Sequence, residues 1–170
     1  MNHHITIRDE TAADIDAITN VTIAAFATLD LSSHTEQFIV RALRAANALS
    51  VSLVAEYSGA IVGHIAFSPV TVSDGTSDWY GLGPVSVLPE HQRQGIGKAL
   101  VHSGLSRLEK LNANGCCLVG YPEYYGRLGF ENPTDLCVDG VPHNAFFIQR
   151  LAGETPRGHV VFHDAFSATS

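Results

Sequence analysis

Apolar residues follow two rhythms along the chain, and the rhythm changes at recognisable punctuation. "ITIR" (residues 5–8) alternates apolar and polar positions as a short strand does. Thr11 followed by Asp14 has the form of a capping box with Asp in place of Glu, so a helix is predicted to start there. Ile15, Ile18, Thr22, Phe26 and Leu29 then recur at helical spacing. A second helix is predicted over 33–48, with Phe38, Ile39, Leu43 and Ala46 facing inward.

From residue 52 the pattern changes. "SLVAEY", the tight turn "SGA" and the long run "AIVGHIAFSPVTV" predict a hairpin. "SDGTSD" is a polar loop, and "GLGPVSVLP" is a strand stopped by Pro89. A helix follows from Gly95 to about Leu111, with Ile96, Leu100, Gly104, Leu108 and Leu111 along one side. "CCLVGY" has the look of a buried strand in parallel pairing. "EYYGRLGF" predicts a short helix ended by Gly129, and "NAFFIQRL" and "HVVFHDAF" predict two closing strands. The order β α α β β β α β α β β describes one mixed α/β domain over 1–170, an α+β arrangement with a central mixed β-sheet flanked by helices. Strand 83–88, the helix after it and strand 115–120 form one right-handed βαβ unit.

Composition narrows the partners. A chain of 170 residues suits one domain, and 45% apolar against 16% charged residues is globular. The net charge of −7 disfavours a nucleic-acid partner and favours a cationic small molecule or basic peptide. Cys116, Cys117 and Cys137 have neither disulfide-framework nor zinc-site spacing, and read as reduced, buried thiols. His159 and His163 are placed on one side of the last strand without a third ligand, so no metal is expected. His3 and His4 fall on a mobile terminus. "MNHHITIRDE" lacks the basic and apolar regions of a secretory signal, and no apolar run approaches the ~20 residues of a membrane span. The expectation is a soluble, cytoplasmic protein without membrane contact.

The chemistry concentrates at "VSVLPEHQRQGIGKAL" (residues 85–100), a strand, a polar loop, two glycines and a helix. A helix N-terminus presents unpaired N–H groups and the positive end of the dipole, where pyrophosphate binds. Gly95 and Gly97 let the backbone approach such a ligand, and Arg93 and Lys98 add positive charge. The spacing is not that of a P-loop, because Ala99 follows Lys98, nor of a dinucleotide fingerprint, because Leu100 stands at the third small position. Without a ligand, the same stretch reads as a glycine-softened turn.

These residues resemble the GCN5-related N-acetyltransferase (GNAT) superfamily. Its acyl-CoA loop, Q/R-x-x-G-x-G/A, is matched by Gln92, Arg93, Gln94, Gly95, Ile96 and Gly97. Its second landmark, similar to F-Y-x-x-x-G-F, is matched by "EYYGRLGF" through Tyr125, Gly129 and Phe130. The nearest likeness is to the YhbS-like branch of predicted acetyltransferases, whose G-L-x-P-x-x-V-x-P-x-x-Q segment reads here "GLGPVSVLPEHQ". The chain departs from that branch at Leu128, where phenylalanine is usual, and at Tyr121, where aspartate is frequent.

The resemblance implies the GNAT acyl-CoA N-acyltransferase fold and an acetyl-CoA-dependent transfer to a primary amine of a small molecule or peptide. It implies that Val85, Ser86 and Val87 pair with the pantetheine arm, and that residues 92–98, through Lys98, hold the pyrophosphate. A backbone N–H near Val87 would take the oxyanion. Tyr125, protonated at pH 7, is the implied proton donor to the leaving thiolate, and Tyr124 is assigned a structural role. His64, Glu90, Glu123 and His143 are candidate bases, His64 doubling as a satisfied core residue, and no single one is chosen. Two rival readings are a CoA-binding sensor without turnover and an RNA-directed acetyltransferase, the latter opposed by the acidic charge. Many relatives pair, so a homodimer is compatible with the resemblance.

Overall fold

Continuous buried runs on strands 51–57 and 60–69, covered on both faces, build the centre of the molecule in the computed structural model, which describes residues 4–170. The strands are β1 (Ile5–Asp9), β2 (Val51–Tyr57), β3 (Ala60–Pro69), β4 (Thr71–Val72), β5 (Trp79–Val87), β6 (Gly115–Val119), β7 (Leu136–Cys137), β8 (Phe146–Arg150) and β9 (Gly158–Val161). The helices are α1 (Ile15–Phe26), α2 (Glu36–Ala45), α3 (Ile96–Lys110) and α4 (Pro122–Tyr125). The main sheet runs β1-β2-β3-β5-β6-β8, antiparallel except for the parallel pair β5–β6. This is the expected mixed sheet flanked by helices.

One face of the sheet packs on α3, where Leu53, Ile65, Phe67, Leu100 and Leu108 are sealed from solvent. Gly104 lies so close to the Phe67 ring that a Cβ there would stand 2.1 Å from it. On the other face α1 and α2 bury Ile18 and Val40 against Val54. The predicted capping box forms: Asp14 accepts from the Thr11 N–H at 2.7 Å, and Arg8 grips the same carboxylate from β1 at 2.7 and 3.0 Å.

Several expectations need correction. A turn of 3₁₀ helix (Ala12–Asp14) precedes α1, and α2 starts at Glu36, leaving Ala46 exposed and Val40 buried instead. The long second arm of the hairpin breaks at Pro69, which has no N–H for a ladder, and Thr71–Val72 turns off as β4. β4, β9 and β7 form a separate small sheet, so the last predicted strand does not join the main one. It ends at Val161, and Asp164–Ser167 is a 3₁₀ helix capped by His163, whose Nδ1 accepts from the Ala165 N–H at 3.0 Å. His159 and His163 therefore do not share a strand face. His3 lies outside the described residues. Cys116 and Cys117 are buried as expected, but Cys137 is exposed. Among the described residues no helix is long and apolar enough to cross a membrane.

Candidate active site

β5 and β6 pair only at their beginnings, from Trp79↔Gly115 to Gly81↔Cys117. Beyond that point β5 stays with β3 and β6 stays with β8, so the two strands part and leave a cleft between neighbours in the same sheet. The departure has a local cause: Leu82 faces Phe67 and Val85 faces Ile65, so Gly83 and Pro84 together stand opposite Ala66 alone. That extra residue is a bulge, which bends a strand away from its partner.

The loop after β5 ends at the same cleft. The Gln92 amide donates to the Val87 carbonyl at 3.0 Å, tying loop to strand. Arg93 and Gly95 take positive φ (62° and 84°), which turns the chain sharply into α3; Gly95 pays no Cβ penalty for it. As a result, the backbone N–H groups of residues 93–98 donate to no protein acceptor among the described residues. Arg93 and Lys98 are exposed and have no ion-pair partner among those residues. Six free donors, two free cations and a helix dipole make a cradle of the kind that binds anions.

The predicted residues divide by how they face this cradle. Ile96 is buried in the α3 core and offers only its backbone. The Ser86 side chain is 1% exposed and its hydroxyl has no partner, so on β5 it too contributes backbone alone. Val85 and Val87 are half-buried on the α3 face. The Gln92 side chain is committed to Val87 rather than left for a ligand.

Two tyrosines flank the cleft from α4. The Tyr125 ring stacks edge-on with Tyr124 and Phe130 (4.9 and 5.9 Å) and lies over Gly120 at the end of β6, where a Cβ would meet it at 2.4 Å. Burial, with Tyr124 and Cys116 adding to it, pushes its phenol well above the ordinary value, so it holds its proton throughout neutral pH. The Tyr124 hydroxyl, assigned no site role by the sequence, reaches the α3 N-terminus beside Gly97. No sequence signal separates the two, since adjacency on α4 does not say which ring meets the loop.

Of the candidate bases, His64 is fully buried on the α1/α2 face, with Nε2 2.8 Å from the Ser52 hydroxyl and Nδ1 without a partner. Desolvation, aided by Arg44, lowers its pKa to about 3. It is a core residue. Glu90, Glu123 and His143 are exposed, and His143 Nε2 is 2.6 Å from the Pro133 carbonyl. His159, on β9 while His163 caps the 3₁₀ turn after it, meets Asp139 (2.7 Å) and Cys137 (3.5 Å) on the exposed side of the small sheet.

A feature with no sequence signature is the pocket on the α1/α2 side of the cleft. It has a volume of about 280 Å³ and is walled by Phe26, Ile39, Leu82, Pro84, Val119 and Phe162, with Glu36 also lining it.

The acetyltransferase (GNAT) domain profile matches residues 6–132. The uncharacterized N-acetyltransferase YhbS of Escherichia coli (strain K12) is 33% identical over 142 residues, 79% of this chain and 85% of that protein. A GNAT family acetyltransferase from Brucella melitensis, solved in complex with acetyl-CoA, is 44% identical, with TM-score 0.86 over 98% of this chain and all (100%) of that one. YhbS from Escherichia coli, solved in complex with CoA, superposes with TM-score 0.89 at 31% identity, covering 100% of this chain and 96% of that one. With a loop, a splayed sheet and relatives that agree, the chain belongs to the GNAT family and is an N-acetyltransferase of the YhbS-like branch.

Proposed function

We propose that this enzyme transfers the acetyl group of acetyl-CoA to a primary amine of a small molecule or peptide by direct attack on the thioester. The observation that carries the reading is the run of unpaired N–H groups at residues 93–98, open at the end of a parted strand pair. Two relatives solved with acetyl-CoA or CoA support it.

In this reading residues 93–98 and the charges of Arg93 and Lys98 hold the pyrophosphate, and the free edge of β5 at Val85, Ser86 and Val87 receives the pantetheine. Gln92 positions the loop. The amine nitrogen bonds to the carbonyl carbon, the C–S bond breaks, the amine gives up a proton and the departing thiolate gains one. Tyr125, kept protonated by burial, is the donor to sulfur. Juxtaposing amine and thioester supplies much of the rate. No step calls on a metal or nucleic acid. Three free cysteines fit a reducing cytoplasm.

The test is release of CoA thiol from acetyl-CoA in the presence of an amine panel. Amine-dependent release supports transfer. Stabilisation of the fold by acetyl-CoA without release from any amine would instead identify a CoA-binding sensor.

A further inference from the structure

The pocket on the α1/α2 side of the cleft joins the two strands at the point where they part, since Leu82 and Pro84 come from β5 and Val119 from β6. Its walls are apolar: Phe26 from α1, Ile39 from α2, and Phe162 and Phe166, whose rings lie 5.3 Å apart. Among the described residues, Glu36 is the single ionisable one lining it. The Ser32 hydroxyl donates to Glu36 Oε1, while Oε2 is sealed from solvent with no hydrogen-bond partner. The residue as a whole is half-buried and has no cationic partner among the described residues, so a ligand that brings a positive charge offsets the cost of holding this acid among apolar walls. An ammonium group brings three donors and the opposite charge.

We infer that this pocket is the acceptor site, that Glu36 binds the acceptor's ammonium group, and that the acceptor is a monoamine carried on an apolar body without a carboxylate. The inference rests on the acetyl-transfer reading above and narrows it. An amino acid would bring its carboxylate into a pocket that has no lining cation and already holds an anion. A polyamine would lay its further charges against phenylalanine and isoleucine with no second acid to meet them. Both carry a desolvation cost that an aromatic or aliphatic monoamine avoids. The volume, about 280 Å³, suits a small ligand.

The test uses phenethylamine as the probe, with spermidine and phenylalanine as comparators, titrated calorimetrically into the full chain saturated with CoA. Phenethylamine should bind at least about tenfold more tightly than either comparator, and Glu36→Gln should weaken it by about tenfold or more while CoA affinity stays unchanged. If Glu36→Gln melts without cooperativity, Glu36→Asp replaces it; there a retained charge at shorter reach should give an intermediate affinity. Phenethylamine affinity indifferent to both substitutions, or comparators bound as tightly, overturns the assignment. Glu36-dependent binding without acetyl transfer upholds the pocket and removes the transfer reading. Transfer to amines with no dependence on Glu36 upholds transfer and removes the pocket.

Discussion

The Tyr124 hydroxyl stands against Gly97, 2.8 Å from the position a Cβ on that glycine would take. The contact joins α4 to the first turn of α3, so the loop of free amides and the tyrosine pair are one structure. Gly97→Ala displaces only the free end of a phenol, and stability should change by within about 1 kcal/mol. The added methyl also narrows the approach to the free amides, so acetyl-CoA affinity should fall by roughly tenfold. Calorimetry on the double variant Gly97→Ala/Tyr124→Phe separates the causes. The loss persists if the methyl blocks the cradle, and recovers if the displaced hydroxyl was responsible.

Tyr125 and Tyr124 should part company in kinetics. Tyr125→Phe removes the proposed acid without removing the ring that packs on Phe130 and Gly120, and kcat should drop about tenfold to a hundredfold with acetyl-CoA affinity unchanged. An unchanged kcat under saturating substrates would reduce Tyr125 to a packing residue.

Gly104→Ala should be among the costliest single-methyl additions in the chain. Its Cβ would stand 2.1 Å from the Phe67 ring, between α3 and the sheet, where neither neighbour has room to yield. Overpacking of this kind costs roughly 1–3 kcal/mol, and thermal melts should fall by about 3–10 °C.

Acid should weaken the fold through His64. Its folded pKa of about 3 lies below the ordinary 6.5, so at intermediate pH the unfolded chain takes up a proton that the native chain refuses. Stability is therefore full above pH 6.5 and is lost as pH falls from 6.5 towards 3. One such group is worth about 2 kcal/mol between pH 7 and pH 5. Denaturant midpoints measured across that range should slope steeply in the natural protein and less in His64→Gln, which has no proton to gain. Equal slopes would show that other groups set the acid sensitivity.

How far the site was legible depended on whether its chemistry was local. The turn was, because Gly95 and Gly97 act through their own backbone and Gln92 through a side-chain tie to Val87 five residues back, and a run of free amides at a helix start is specified by such short spacing. The βαβ unit around it was equally plain from apolar runs, Pro89 and the α3 stripe. The small β4-β9-β7 sheet was not, because two-residue strands have no period to read and their pairing joins segments far apart in the chain.

What the chain's order of residues determined alone was the main helices and longer strands, the family and the turn of free amides at residues 93–98, all consequences of short-range pattern. Tertiary structure decided which tyrosine touches Gly97, that Ser86 and Ile96 turn their side chains away, and that Glu36, held by Ser32 and without a cationic partner among the described residues, lines one pocket with Phe26 and Val119. Those facts depend on burial and on contacts between α1, α2, β5, β6 and the C-terminal segment. Desolvation acts on a group only after distant parts of the chain have closed around it.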